Sequence, residues 1–386
     1  MARRSSFFLL LSVTLLVILG FTMLASTCYF MEKGGGEGYF NLRKQALWLV
    51  VGFGCMLGLA WTDYNNLAKH WKYAFGAGLV VLLLCLIPGI GLDVNGARRW
   101  MGGRFPGIGD VRIQPSEFAK ILLLIALSAW YALPGVDART TRKGFLIPAA
   151  MLGSFVLSIG LEEDLGNGSL TALLGISIMF VAGVRMLWLS LMGTGAAMLL
   201  AAGIAYFPNR FERVWILTDL EKYKDGLGLQ QWISLLAFGS GGIPGRHLGE
   251  GRMKLSYLPE AHTDFIFPMV GEELGLWGTA GTVMLFAMIV VAGMCIAAYA
   301  PNRFGKLLGF GLTMLLGCEA LLNMGVTTAL LPNKGLPLPF VSYGGSSLLA
   351  AFIVIGILVS IHRQGVHITR GQLPVIRRNC RWTPQI

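Results

Sequence analysis

The sequence predicts an all-α polytopic membrane protein with about ten transmembrane helices and one large extracytoplasmic loop. Three observations carry this. Of 386 residues, 55% are hydrophobic and only 13% are charged, outside the range of a soluble domain. Apolar runs of roughly 18–25 residues, the length that crosses a hydrocarbon core, recur along nearly the whole chain. Lys and Arg concentrate in alternate connections, the asymmetry that orients membrane helices.

The first run, 7–27, follows Arg3 and Arg4. It is longer than a signal-peptide core and further apolar runs follow, so it reads as an uncleaved first helix. Cys28 makes only a weak lipoprotein cleavage site, because Thr27 precedes it. The remaining runs are 46–62, 73–91, 117–134, 145–161, 169–184, 186–206, 266–298, 307–330 and 346–362, of which 46–62 and 169–184 are short. An even number returns both termini to one side. Arg3/Arg4, Lys69/Lys72, Arg139/Arg142/Lys143, Arg185, Arg303/Lys306 and the tail from Arg363 to Arg381 mark that side as cytoplasmic. Residues 1–363 form one membrane domain, and 364–386 read as a short basic cytoplasmic tail.

Two segments on the other side break the charge rule. One spans roughly 92–116, with Arg98, Arg99, Arg104 and Arg112. The other, 207–265, carries Arg210, Arg213, Lys222, Lys224, Arg246, Arg252 and Lys254. Long loops translocate regardless of charge, so these cations need another reason, and an anionic ligand on the outer face supplies one. The net charge of +11 fits anionic headgroups or a phosphate-bearing substrate. Nucleic acid is excluded for want of a soluble domain to hold it. Within 207–265, Phe211 to Leu217 and Gln231 to Leu236 are amphipathic stretches suited to the interface, and Gly239 to Gly245 marks a turn-rich or re-entrant piece. The six cysteines form no metal-ligand spacing and read as small apolar packers.

Ionisable groups at membrane depth are costly and usually functional. Lys254, Glu260, His262 and Asp264 crowd the seam between the long loop and the apolar run 266–298. Glu260 and Asp264 share a face if the segment is helical. A carboxylate there is placed as a general base, while capping by Thr263 or Asp264 is the plain alternative. His262 alone reads as structural. Arg98, Arg99 and Trp100 suit a phosphate beside an interfacial anchor, or an ordinary interface belt. Ser116 and Glu117 read as a helix start, with Glu117 and Lys120 spaced to pair. Glu162, Glu163 and Asp164 suit a divalent cation, an answer to the basic loops, or a solvated turn. The stretch Leu331–Ser347, with three prolines and several glycines, cannot continue a helix. Irregular backbone at this depth must be buried or line a cavity, and Lys334 and Ser342 within it become candidates for substrate contact.

Taken together, Asn95–Trp100, Gln114–Lys120, Asp164–Gly166, Gly239–Gly242, Lys254–Phe267, Gly271–Gly275 and Pro332–Ser347 resemble the SEDS family (shape, elongation, division and sporulation) over nearly the whole membrane region. Lys334-Gly335 is more similar to its division branch. The resemblance implies a glycosyltransferase that polymerises lipid II into peptidoglycan on the outer face of the bacterial cytoplasmic membrane. It implies Asp264 as the base that deprotonates the acceptor hydroxyl, with inversion at the donor. It also implies a cognate class B penicillin-binding protein as partner, among other divisome or elongasome membrane proteins. Arg98, Arg99, Arg210, Arg213, Lys254 and Lys334 are the pyrophosphate candidates. Trp100, Glu260, His262 and Ser342 are candidates for positioning substrate. A divalent cation, Mg or Mn, stays open. The chain departs from the family pattern at Glu163, Leu220, Arg246-His247, Glu319 (usually glutamine) and Asn333. A lipid II flippase and a non-catalytic divisome scaffold are the rival readings. A flippase calls for inverted internal symmetry, which the sequence does not display.

Overall fold

The computed structural model describes residues 4–33, 38–94, 97–105, 109–206, 212, 215–253 and 263–369. Every expected apolar run coincides with a helix. They are α1 (Ser5–Lys33), α2 (Gly38–Trp61), the single turn α3 (Asn65–Lys69), α4 (Trp71–Leu86), α5 (Pro115–Ala132), α6 (Ile147–Leu161), α7 (Leu165–Ala182) and α8 (Met186–Tyr206). After the long loop, whose helix is α9 (Leu229–Gly241), come α10 (Ile266–Ala298), α11 (Arg303–Thr327) and α12 (Gly345–Thr369). Among the described residues eight helices are long and apolar enough to cross a membrane; α4, at 16 residues, is shorter, and α5 carries Glu117 and Lys120.

Contacts sort the helix ends onto two faces. On one, Gln114 at the start of α5 donates to Asp164 Oδ2 (3.2 Å) and Arg99 donates to the Glu162 and Glu163 carbonyls (3.3 and 2.9 Å). Ser26 of α1 reaches Glu273 of α10 on this face, and Asn323 of α11 reaches the Asp264 carbonyl. On the opposite face, Gln364 of α12 meets Asp63 (2.5 Å), Asn302 meets Asn65 (2.6 Å), Arg303 meets the Ala182 carbonyl (3.0 Å) and Trp71 packs edge-on against Trp130. Both α4 and α5 connect these two faces, so they span the same thickness as their neighbours.

The 92–116 segment is not a plain loop. It forms a three-stranded antiparallel meander, β1 (Gly91–Val94), β2 (Ala97–Phe105) and β3 (Gly109–Ile113), with Leu92 opposite Trp100 and Arg104 opposite Asp110. Asn95-Gly96, between β1 and β2, is the dipeptide that most favours a tight hairpin. The amphipathic stretch at 231–236 does not lie free in the interface either. It belongs to α9, where Gln231, Ile233, Ser234 and Ala237 are buried. Gln231 Nε2 donates to the Val326 and Leu331 carbonyls (2.9 and 2.8 Å), and the Ser234 hydroxyl donates to the Thr327 carbonyl. These bonds satisfy carbonyls freed where α11 ends. Of the cysteines, Cys28, Cys85 and Cys318 are buried packers, Cys55 is exposed on α2, and Cys380 lies outside the described residues.

Candidate active site

Asp264 ends the long loop two residues before α10, at the face that also carries Asp164 and Lys334. It is half-buried, and its carboxylate lies against Gly335: a Cβ there would stand 2.5 Å from Asp264 Oδ2. Only glycine permits this approach. The Asp264 main chain is fixed from below. Asn323 Nδ2 donates to its carbonyl at 2.8 Å and to the Leu336 carbonyl at 2.7 Å, joining the loop to the proline-rich segment.

Asn323 tops a polar column inside the helix bundle. One turn below it on α11, Glu319 accepts from Lys120 Nζ at 2.6 Å. The same ammonium donates to Glu117 Oε1 (3.1 Å) and Asn167 Oδ1 (2.9 Å), and Lys120 is 1% exposed. Three acceptors thus match the three donors of the lysine, which makes its burial tolerable. Asn167 belongs to the first turn of α7, where Asp164 is the N-cap. Asp164 accepts from the Asn167 amide (3.0 Å) and side chain (2.9 Å). That carboxylate caps a helix and holds Gln114, so the capping reading given to the segment at Asp264 is realised instead at Asp164.

The proline-rich segment is buried by protein, as irregular backbone at this depth requires. It presses on α1 at Gly20, where a Cβ would meet the Phe340 carbonyl at 2.6 Å, and on α2 at Gly345 beside Trp48. Lys334 lies at its open edge, with its stem over Gly166 and its Nζ 3.4 Å from Ser169 Oγ. Ser342 is 4% exposed, and its hydroxyl accepts from the Leu338 amide at 2.8 Å. It is held inside the turn, where its hydroxyl supports the local backbone. Asn333 Nδ2 binds Gln230 of α9 (2.6 Å), tying α9 to this segment.

In the meander, Arg98 is exposed and Trp100 half-buried, while Arg99 is spent on the two main-chain carbonyls above. Glu162 is 1% exposed with neither carboxyl oxygen hydrogen-bonded. Burial, helped by Asp164 and opposed by Arg99, pushes its acid up to about 8. Among the described residues no group of three His, Cys, Asp or Glu side chains is placed to hold a metal ion. Arg210, Arg213, Lys254, Glu260 and His262 lie outside the described residues.

The structure therefore gathers Asp264, Lys334 and Asp164 on one face, above the column Asn323–Glu319–Lys120–Glu117. Asp264 and Lys334 stand out in the sequence residue by residue. Asn323 and two of the three partners of Lys120, Asn167 and Glu319, do not; for Asn323 and Glu319 the signal is the spacing of Glu319, Asn323 and Thr327 along one face of α11.

Comparison with known proteins assigns the chain to a family. The family model described as cell cycle protein (FtsW, RodA, SpoVE) matches residues 6–367. A probable peptidoglycan glycosyltransferase FtsW of Geobacter sulfurreducens is 38% identical over 93% of this chain and 95% of its own. A protein of the same description in Methylococcus capsulatus is 34% identical, over 92% and 90%. Among solved structures, a chain of a peptidoglycan synthase complex matches with TM-score 0.76 and 28% identity, over 92% of this chain and 97% of that one. The Rod shape determining protein RodA of Thermus thermophilus matches with TM-score 0.67 and 26% identity, over 92% and 96%. The chain belongs to the FtsW/RodA/SpoVE family of integral membrane proteins.

Proposed function

We propose that this protein is a peptidoglycan glycosyltransferase that polymerises lipid II at the outer face of the bacterial cytoplasmic membrane, with Asp264 as general base. The observation that carries the reading is the Asp264 carboxylate, half-buried at the membrane edge against Gly335, with its main chain fixed by Asn323 and with Lys334 immediately before Gly335 in the same wall. A lipid-anchored sugar presents its hydroxyl at that depth. Asp264 takes the hydroxyl proton as the oxygen attacks the donor's anomeric carbon from the face opposite the leaving group. The bond to the pyrophosphate breaks, and undecaprenyl pyrophosphate departs with the electron pair. Lys334, Arg98 and the loop residues Arg210, Arg213 and Lys254 are the cations available to the departing diphosphate. Lys334-Gly335 favours the division branch. A class B penicillin-binding protein is the expected partner, which fits a similar chain belonging to a peptidoglycan synthase complex.

The test is polymerisation of labelled lipid II by the purified protein with its cognate penicillin-binding partner. Wild type makes glycan strands and Asp264→Asn, which keeps size and shape, makes none while remaining folded. Polymer at the wild-type rate from the variant removes Asp264 from the mechanism. No polymer from a folded wild-type complex turns the question to lipid II translocation or a scaffold role.

A further inference from the structure

Two buried acids of α10 take no part in the chemistry above. Glu272 and Glu273 are 0% and 1% exposed, and they lie immediately before the point where α10 breaks at Gly275 (φ 64°). Both are held by the chain that leads into the Asp264 loop. Glu272 Oε1 accepts from the Arg252 amide (2.7 Å) and both its oxygens lie within reach of the Met253 amide (3.3 and 3.2 Å). Glu273 Oε2 accepts from the Gly249 amide (3.0 Å), and both Glu273 oxygens accept from Ser26 Oγ of α1 (2.9 and 3.0 Å). The two carboxyl groups converge on Gly251, where a Cβ would stand 3.0 Å from an oxygen of each.

We propose that Glu272 and Glu273 are positioning residues for the reaction: a two-carboxyl clamp that grips main-chain amides at 249–253 and so sets where the segment ending at Asp264 can reach. The proposal rests on the reading of Asp264 as base. The physical case is one of anchors. Asn323 fixes the loop at its exit, at the Asp264 carbonyl. The clamp fixes it at its entry, eleven residues before Asp264 by sequence. Both anchors stand on the first turns of α10 or on its neighbour α11, so entry and exit share one rigid frame. Main-chain recognition explains why acids are used: a carboxyl oxygen accepts several N–H groups whatever side chains the loop carries.

The experiment compares Glu272→Gln, Glu273→Gln and Gly251→Ala with wild type and Asp264→Asn, each as the full chain with its penicillin-binding partner. The amide variants place an N–H donor where the loop offers N–H donors. Gly251→Ala crowds both carboxyl groups from the loop side and leaves the bundle untouched, so it carries the test should an acid variant fail to fold. The readouts are turnover and KM on lipid II, and tryptic cleavage after Arg252 and Lys254. The expected result is a turnover lowered about tenfold at unchanged KM, with faster cleavage of the loop and an unchanged unfolding temperature. Wild-type turnover despite faster cleavage overturns the proposal, as does a raised KM at unchanged turnover. If Asp264→Asn itself polymerises at the wild-type rate, the base reading fails instead. An inactive Asp264→Asn beside fully active clamp variants defeats the clamp alone.

Discussion

At the scale of single residues, the bundle interior is governed by one ammonium group. Lys120 sits between Glu117 and Glu319 with Asn167 as third acceptor. Removing it leaves two acids facing each other without compensation, so Lys120→Met is expected to cost about 3–5 kcal/mol. Glu319→Gln leaves Lys120 with Glu117, Asn167 and an amide oxygen, and is expected to stay within about 1 kcal/mol of wild type. Thermal unfolding of the detergent-solubilised variants measures both. Glu162 gives a pH effect of definite sign. Its folded-state acid titrates near 8 against an ordinary 4.5, so the folded protein holds a proton that the unfolded chain releases in between. Stability therefore falls as pH rises from about 4.5 to 8, and Glu162→Gln is expected to flatten that slope. A wild-type unfolding temperature rising across this window contradicts the assignment. Asp264 was legible in the sequence because an acid beside a long apolar run stands out. Ser342 marks the limit of such a reading, because nothing in a string of residues tells a hydroxyl that accepts inside a buried turn from one that faces substrate.

At the scale of elements, helices read well from apolar runs, but breaks and pairings within them do not. The run 266–298 looks continuous, yet α10 is interrupted at Gly275, and the freed backbone groups find partners in the loop. The Leu276 amide donates to the Gly242 carbonyl (3.0 Å), and the Arg246 amide donates to the Glu272 carbonyl (3.0 Å). Gly241, Gly245, Gly271 and Gly275 are where two backbones touch, and Gly275 has the further need of positive φ. Gly275→Ala puts a Cβ 2.4 Å from the Gly245 nitrogen, and a positive-φ non-glycine residue alone costs about 1–3 kcal/mol. Gly281→Ala, six residues on with open space around it, is expected to be neutral or to stabilise by about 0.4–1 kcal/mol. The two unfolding temperatures, compared directly, test whether the break is built into the fold. The meander was missed for a different reason. Two of its strands are short and the long one, β2, is rich in glycine and arginine, with too few apolar alternations to outweigh a loop reading, although Asn95-Gly96 offered the hairpin signal.

At the scale of the whole molecule, the sorting of helix ends onto two faces decides what the charges mean. The face opposite Asp264 carries Lys69, Lys72, Arg139, Arg142, Lys143, Arg185, Arg303, Lys306 and Arg363 in its connections. The Asp264 face carries its cations in the meander, in the 207–265 segment and, as Lys334, in the proline-rich segment, with Lys33, Arg43 and Lys44 around the α1–α2 connection. By the charge rule we propose that the first face is the cytoplasmic one, with both ends of the membrane domain on it. The short α4 is about 24 Å long at 1.5 Å per residue, which suffices because the meander continues it at the Asp264 face. Orientation is open to direct measurement. In a background without native cysteines, Lys222→Cys is expected to react with a membrane-impermeant thiol reagent applied to spheroplasts, and Arg139→Cys only after permeabilisation. Both parent side chains are exposed, so neither result is set by burial. The reverse pattern would put Asp264 in the cytoplasm, where a base could act on lipid II only before its translocation, and outer-face polymerisation would have to be abandoned whatever the activity of Asp264→Asn.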